Sequence, residues 1–392
     1  MEGVDEKTAN ALISGILPLP SKLVEIFNFI ISDGNGMQGA TEWLYDFSVR
    51  CGYVPLHKTE SCIHWHASGT KGGLHITIDT CKRDSDIHLD CPGCPKCKRT
   101  DLSLLKRKLP ISLNGENWLF NFSPLSLFPQ HFIFAPEKHI ENMPFRDVLS
   151  RLIDAVEYFP HYFLCSADSY EPYALCGHMR LTGGLPESPL FSAPPRMVFD
   201  GDGQDVTISV PDWYNTVIRV ESLQRSDLFN AVSAIAESWI SYSNKGIGIL
   251  NAGGANKIDT VLRINERGEY CCELVLRNGK IGGEAGVLIP RGITLLESAG
   301  AFILSGEIAD VAESARARLS GKTADVPKGY AKVVDEIVSS AQKNADPAQH
   351  IEEYIQNACE SALKATAVFR EDGAGNIALI EFLSNIGYTI KG

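Results

Sequence analysis

Apolar residues recur at helical spacing through the first fifty residues of the chain. Two prolines, Pro18 and Pro20, interrupt the pattern, and a proline within a periodic stretch ends or kinks a helix. A helical segment broken at these prolines is therefore predicted, and the alternation at residues 74–78 predicts a strand after it. The apolar stripe consists of Leu12, Ile16, Leu23, Ile26, Phe27 and Ile30.

A hairpin and a long helix are predicted further along. Residues 111–122 form two strand-like segments around Asn114-Gly115, a pair that tolerates positive φ at both central turn positions. Another strand is predicted at 131–135, and a helix begins after Pro144 and ends at Pro160. The buried face of that helix is predicted from Phe145, Val148, Leu149, Leu152, Ile153 and Val156.

The second half of the chain repeats this plan of strands, helix and strands. The predicted elements are strands at 206–210 and 216–220, a helix at 227–242, and a hairpin of strands 257–264 and 270–277. From Gly306 onward the chain is mostly helical, ending in a long segment at 351–366. We predict an α+β fold of two halves, residues 1–195 and 196–392, with antiparallel sheets, packed helices and helical N- and C-terminal segments.

Composition and charge narrow the classes of function. Hydrophobic residues make up 44% of the 392 residues and the formal net charge is −12, which argues against a nucleic-acid surface rich in Lys and Arg. The basic run at 96–108 is interpreted as a solvated rim. No stretch approaches the roughly 18 apolar residues of a bilayer span, and no signal-peptide pattern is present. We expect a cytoplasmic protein that binds neither nucleic acid nor membrane, with its eleven cysteines reduced.

A Cys-x-x-Cys pair indicates a metal site. Cys94 and Cys97 have the spacing of two thiolate ligands, and His139 and His178 lie downstream as candidate imidazole ligands. Two thiolates and two imidazoles would complete a tetrahedral, structural zinc site. Cys91 and Cys94 have the same spacing, so the choice of pair is open, and three unconnected cysteines in a Pro-rich turn are the alternative interpretation.

An ordered set of short motifs resembles the class II galactose-1-phosphate uridylyltransferases. The resemblance covers roughly residues 40–305, and its motifs are specific as an ordered set. They are Gly-Leu-His-Ile-Thr-Ile-Asp (73–79), Leu-Asn-Gly-Glu-Asn-Trp (113–118), Phe-Ser-Pro (122–124), Phe-Pro-Gln-His-Phe-Ile-Phe (128–134), Glu-Lys-His (137–139), Phe-Pro-His-Tyr-Phe (159–163), Ser-Ala-Asp (166–168), Gly-Gly (183–184) and Tyr-Cys-Cys-Glu-Leu-Val-Leu-Arg-Asn (270–278).

The resemblance implies a histidine-triad-like architecture of two related α+β halves. Members of the family transfer UMP between hexose 1-phosphates through a uridylyl-histidine intermediate, and the analogy suggests a homodimer. Some relatives in the superfamily hold zinc on two Cys and two His. By that likeness the zinc ligands would be Cys94, Cys97, His139 and His178, in preference to a pair that includes Cys91.

The chain departs from the family at the nucleophile. The family motif His-Asp-His-Phe-Gln-Gly-Gly, aligned on its glycines, falls on residues 178–184 and places Arg180 where the attacking histidine stands. The family glutamine becomes Thr182, while a shift by one residue would put Met179 at the nucleophile position instead. Arginine stays protonated and is a poor nucleophile, but its planar fork binds phosphate well.

These observations define the candidate site and two hypotheses. Arg180, His178 and Thr182 are the catalytic candidates, and the predicted nucleotide-binding residues are Ser166, Asp168, Gly183, Gly184, Arg277 and Asn278. The first hypothesis is a divergent nucleotidyltransferase acting on nucleotide sugars or sugar phosphates, with altered or lost covalent-histidine chemistry. The second is a non-catalytic relative that binds a nucleotide or a partner protein.

Four further features have competing interpretations. His64 and His66 form a metal or base pair, or simply lie on a surface strand. The loop 251–256 cradles phosphate, or is a turn between helix and strand. His161 or Cys176 could replace the missing nucleophile, although Cys165 and Cys176 are more simply buried small hydrophobes.

Overall fold

An antiparallel sheet of eleven strands forms the backbone of the fold, and a three-stranded sheet lies beside it. The structure is a computed structural model. It describes residues 12–56, 60–80, 107–124, 128–138, 140, 143–167, 179–201, 205–281, 287–289, 292–341 and 346–391.

The strands of the large sheet come from both halves of the chain. From the first half they are β3 (Leu109–Leu113), β4 (Glu116–Phe122), β5 (Phe132–Pro136), β6 (Phe163–Ala167) and β7 (Leu181–Gly184). From the second half they are β8 (Pro195–Gly201), β9 (Thr207–Pro211), β10 (Val217–Ser222), β11 (Asn256–Ile264), β12 (Tyr270–Asn278) and the short C-terminal β14 (Tyr388–Ile390). The small sheet contains β1 (Ile63–Ala67), β2 (Leu74–Asp79) and β13 (Ala301–Ser305).

The strand order has a mirrored plan. From one edge of the sheet to its centre, the strands of the first half follow the order β3-β4-β5-β7-β6. From the opposite edge, where β14 is outermost, the strands of the second half follow the order β8-β9-β10-β12-β11. Each half is thus a three-stranded meander followed by a hairpin whose second strand pairs with the meander. The halves join where β6 pairs with β11, with Cys165 opposite Val261 and Leu164 opposite Leu262.

Two of the helices, one from each half, cover one face of the large sheet, and others pack against the opposite face. The helices are α1 (Pro20–Ile30), α2 (Gly36–Arg50), α3 (Phe145–Tyr158), α4 (Arg225–Ser241), α5 (Leu295–Ser298), α6 (Glu307–Leu319), α7 (Ala331–Ala341), α8 (Pro347–Ala365) and α9 (Gly373–Ser384). α3 lies between β5 and β6 in the chain, and α4 occupies the equivalent place between β10 and β11. Their apolar faces pack with alternate residues of the central strands, such as Leu164, Leu181 and Leu262, in one core.

The opposite face of the large sheet borders a second core. Phe163, Cys165 and Val261 belong to it, as do residues of the small sheet and of α6, α7 and α8. Because successive strand residues point to opposite faces, β6 contributes its even-numbered leucine to one core and its odd-numbered neighbours to the other. None of the helices within the described residues is long and apolar enough to span a bilayer.

The predicted α+β class and its antiparallel sheets are confirmed. The predicted helix after Pro144 is α3, and the turn between β3 and β4 has positive φ at Asn114 (48°) and Gly115 (80°), as that residue pair requires. β7, β8, β13 and β14 were not predicted. The boundary between residues 195 and 196 falls within β8 and stays a prediction.

Replacing Leu262 by Ala should destabilise the protein by about 2–5 kcal/mol, because the side chain is fully buried at the seam between the halves. The free energy of unfolding from urea denaturation measures this. Leu223→Ala is the matched control, since Leu223 is 57% exposed, and it should change stability by less than about 0.5 kcal/mol. Equal losses in the two variants would contradict the packing described for the seam.

Candidate functional site

Five of the predicted site residues lie outside the described residues. They are the four proposed zinc ligands Cys94, Cys97, His139 and His178, together with Asp168. Two thiolates and two imidazoles are a donor set that suits zinc, so zinc stays a prediction that rests on the sequence. Within the part of the chain that the structure describes, no group of three or more His, Cys, Asp or Glu side chains could hold a metal ion.

Thr182 lies in the middle of the large sheet, on the face away from α3 and α4. It is half-buried and pairs with Cys165 on one side and Ile133 on the other. Cys165 belongs to the second core, whereas Leu181, the neighbour of Thr182, belongs to the core under the helices. Arg180 is half-buried and lies just before β7, two residues from Thr182. We call this surface the Thr182 face.

Close packing explains the two glycines after Thr182. A Cβ atom at Gly183 would lie 2.4 Å from the ring of Phe132 and 2.5 Å from the carbonyl oxygen of Phe163. A Cβ atom at Gly184 would lie 2.4 Å from the ring of Phe128. Real side chains do not approach this closely, so both positions require glycine whether or not a phosphate binds nearby.

Ser166 and Thr182 lie on opposite faces of the sheet. Ser166 pairs with Thr260, and both alternate with residues of the second core, so their side chains point toward the helices α3 and α4. The structure therefore does not bring Ser166 together with Thr182 across the sheet. A ligand on the Thr182 face could reach Ser166 only around the end of β6.

Arg277 shares the sheet face of Thr182 but is held by protein groups. Its Nε atom lies 3.1 Å from Oδ2 of Asp259, and its Nη2 atom donates to the carbonyl of Thr294 at 3.1 Å and to the hydroxyl of Ser298. Asp259 is fully buried, so the ion pair compensates a carboxylate that would be costly alone. The sequence analysis did not identify Asp259, because its pairing with Arg277 follows only from the register of β11 and β12.

Asn278 closes the end of β12. Its side-chain amide donates to the carbonyl of Leu250 at 3.1 Å and to Oδ1 of Asn256 at 2.6 Å, and its Oδ1 atom accepts from the backbone of Lys280. Asn256 in turn donates to the carbonyl groups at the end of α4. This network fixes the loop 251–256 as a turn from helix to strand, which is the simpler of its two interpretations.

His161 lies on the helix side, away from the Thr182 face. One ring nitrogen lies 2.9 Å from Oγ1 of Thr41 in α2, and the ring packs against that of Tyr162 at an angle of 43°. Burial lowers the pKa of His161 to about 4, so the imidazole is neutral at pH 7. Tyr162 is buried and its hydroxyl donates to Gln130. The pair joins the N-terminal helices to the start of β6.

The structure thus defines an α+β protein with two mirrored halves joined in one sheet, in which the half-buried Thr182 of β7 lies beside Cys165 of β6. Comparison with known sequences shows which proteins this chain resembles. The chain is 26% identical to a galactose-1-phosphate uridylyltransferase of Caldanaerobacter subterraneus, over 97% of this chain and 83% of that protein. It is 26% identical to the protein of that name from Bifidobacterium longum (97% and 79%) and 24% identical to that from Fusobacterium nucleatum (94% and 81%).

The resemblance to galactose-1-phosphate uridylyltransferases is therefore confirmed over nearly the whole chain. No protein-family profile matches the sequence. Among solved structures, yeast Ap4A phosphorylase Apa2 aligns with a TM-score of 0.46 and 9% identity, over 83% of this chain and 94% of that one.

Replacing Gly183 by Ala should lower the free energy of unfolding by about 1–3 kcal/mol, because the new methyl group meets Phe132 and the carbonyl of Phe163. Chemical denaturation measures the change. Gly373→Ala is the control, since nothing lies within 4 Å of its Cβ position at the start of α9, and it should be neutral or slightly stabilising. A Gly183→Ala protein as stable as the parent would contradict the close approach.

The neutral His161 should make folding weaker in acid. In the unfolded chain His161 has an ordinary pKa near 6.5, whereas in the folded protein its pKa is about 4. Between these pH values the unfolded chain therefore binds one more proton than the folded protein. The free energy of unfolding should therefore fall as the pH drops from about 6.5 to 4, by about 1–3 kcal/mol from this residue after allowance for partial exposure.

Denaturation curves across this pH range, compared with those of His161→Gln, isolate the effect. The variant should show a flatter pH dependence than the parent, and His64→Gln, on the outer strand β1, serves as the control. Parallel pH profiles for the parent and His161→Gln would show that the imidazole titrates alike in both states.

Proposed function

We propose that this protein binds nucleotide sugars and sugar phosphates on the Thr182 face and acts there as a uridylyltransferase-like nucleotidyltransferase. The observation that carries the proposal is similarity to galactose-1-phosphate uridylyltransferases over 94–97% of the chain. By the motif resemblance described above, Arg180 stands where the family has its attacking histidine. An arginine there favours phosphate binding and disfavours a covalent intermediate.

In this proposal each predicted residue has a defined part. The guanidinium of Arg180 pairs with phosphate oxygens, and the hydroxyl of Thr182 donates to the same group. Gly183 and Gly184 hold β7 tightly against its neighbours, so that the two polar side chains keep their place. His178, Asp168 and Ser166 would line the end of β6, whereas Arg277 and Asn278 would position β11 and β12 through the contacts described above.

Chemistry without a nucleophilic histidine must proceed by direct transfer. A phosphate oxygen of the acceptor sugar phosphate attacks the α-phosphorus of the nucleotide sugar, and the bond from that phosphorus to the departing sugar 1-phosphate breaks. Arg180 would stabilise the negative charge that develops on the transferring phosphoryl oxygens. No proton needs to be abstracted, because the attacking phosphate is already an anion.

The proposed zinc would have a structural part. Four protein ligands, Cys94, Cys97, His139 and His178, leave no open coordination position. They would connect segments distant in sequence and fix His178 two residues before Arg180. A homodimer in the cytoplasm completes the proposal.

A second candidate function is nucleotide or partner binding without turnover. It is favoured by the same arginine, since the substitution removes the group that attacks phosphorus in the family and supplies no other nucleophile at that position. Saturable ligand binding without product would then be the behaviour of the native protein.

The decisive experiment combines binding and turnover. Calorimetric titration with UDP-glucose should show saturable binding, and incubation with UDP-glucose and galactose 1-phosphate should release glucose 1-phosphate if transfer occurs. Arg180→Ala should weaken binding roughly 10- to 100-fold, the loss expected for a charge-assisted hydrogen bond. Arg50→Ala is the control, because that arginine is 82% exposed on α2 and pairs only weakly with Asp46.

Each result separates the alternatives. Binding without turnover selects the non-catalytic function, and binding that survives Arg180→Ala would remove Arg180 from the site. Absence of affinity for UDP, UDP-sugars and other nucleotides in the folded protein would remove both functions.

A further inference from the structure

Two histidines face each other across the hairpin of the small sheet. His66 on β1 is directly opposite His75 on β2 in the antiparallel register, so both side chains lie on the same face. Their ring centroids are 4.3 Å apart and the rings are almost perpendicular, at 86°. The other face of the hairpin, which includes Leu74 and Ile76, packs into the second core.

The two imidazoles are accessible to solvent. His66 is exposed and His75 is half-buried. His64, the next residue on this face of β1, has its Nδ1 atom 3.0 Å from the hydroxyl of Thr77.

The spacing of the rings suits one shared metal ion. Two imidazoles that bind one ion at about 2.0–2.1 Å, at a tetrahedral or square angle, have ring centroids roughly 4.5–5 Å apart. The observed 4.3 Å needs an opening of less than about 1 Å, which side-chain torsions supply without moving either strand.

We propose that His66 and His75 form a cross-strand binding site for a divalent transition metal that prefers imidazole ligands, such as Ni²⁺, Cu²⁺ or Zn²⁺. Water completes the coordination, since the described residues supply two imidazoles and no third ligand. The proposed site shares no residue with the proposed zinc ligands and does not depend on the proposed function.

A metal ion bound by His66 and His75 would link β1 to β2 close to the loop that connects them. The β1–β2 loop is anchored by Lys71, which pairs with Asp212 at 2.9 Å and with Glu371, and by Thr70, whose hydroxyl donates to Glu360 at 2.8 Å. Because a bound ion stabilises only the folded hairpin, it should also raise the melting temperature.

Calorimetric titration of the full-length protein with Ni²⁺ at pH 7.5 tests the site. Any Ni²⁺ binding at the cysteines is common to the parent and the variants. The difference between their titrations therefore reports binding at His66 and His75. His66→Ala and His75→Gln should each weaken this component by more than roughly tenfold, as expected when one of two protein ligands is lost. His64→Ala is the matched control on the same strand and face, and it should bind like the parent.

NMR spectra of the protein with isotope-labelled histidines identify which imidazoles bind the metal. With substoichiometric Cu²⁺, the ring resonances of His66 and His75 should broaden before those of the other eight histidines of the chain. Circular dichroism confirms that each variant is folded, and His66→Ala, at an exposed position, carries the test if His75→Gln unfolds. Equal Ni²⁺ affinity in parent and His66→Ala, or a loss of the same size in His64→Ala, would overturn the proposal.

Discussion

The pairing of β6 with β11 is the constraint on which the arrangement depends. These strands join two five-stranded units, of the same topology, into one continuous sheet. Because side chains alternate along both strands, this seam assigns each neighbouring residue to one of two cores. A shift of β6 by one residue against both of its neighbours would turn Leu164 away from the helices and bring Ser166 to the face of Thr182.

The seam also determines which polar residues can act together. Thr182 and Arg180 stand two strands away from Asp259, and strands are about 4.8 Å apart, so roughly 10 Å separates the phosphate-binding candidates from the buried Asp259–Arg277 pair. Arg277 neutralises Asp259 from the adjoining strand. A negatively charged ligand beside Thr182 would therefore meet the field of Arg180 without a nearby uncompensated carboxylate from Asp259.

Local patterns in the sequence predicted the elements whose causes are local. The i, i+3, i+4 apolar residues of 145–156 gave the helix α3, and Asn114-Gly115 gave the β3–β4 turn. β13 could not be found this way, because it pairs with β2 in parallel from more than 200 residues away. The same limit applies to the site: the motif contained Ser166 and Arg277, but only the register shows that one faces the helices and the other is held by Asp259.

The mirrored plan explains why one half carries the candidate site. β12 occupies in the second half the place that β7 occupies in the first, between the meander and the seam strand. Where β7 presents Thr182, β12 presents Glu273, whose Oε1 atom lies 3.1 Å from both Nε of Arg219 and Nη2 of Arg263. Glu273 is fully buried, so its charge requires both arginines.

The remaining donors of Arg219 bind the carbonyl groups of Ala193 and Leu190, in the segment that links the halves. Arg219 thus connects the buried Glu273 to the segment that links the halves. A phosphate at this mirrored position would have to displace a buried carboxylate from two arginines, whereas at Thr182 it would meet a hydroxyl and a guanidinium. In the second half, the position that mirrors Thr182 is therefore occupied by a buried ion pair that contributes to the cohesion of the fold.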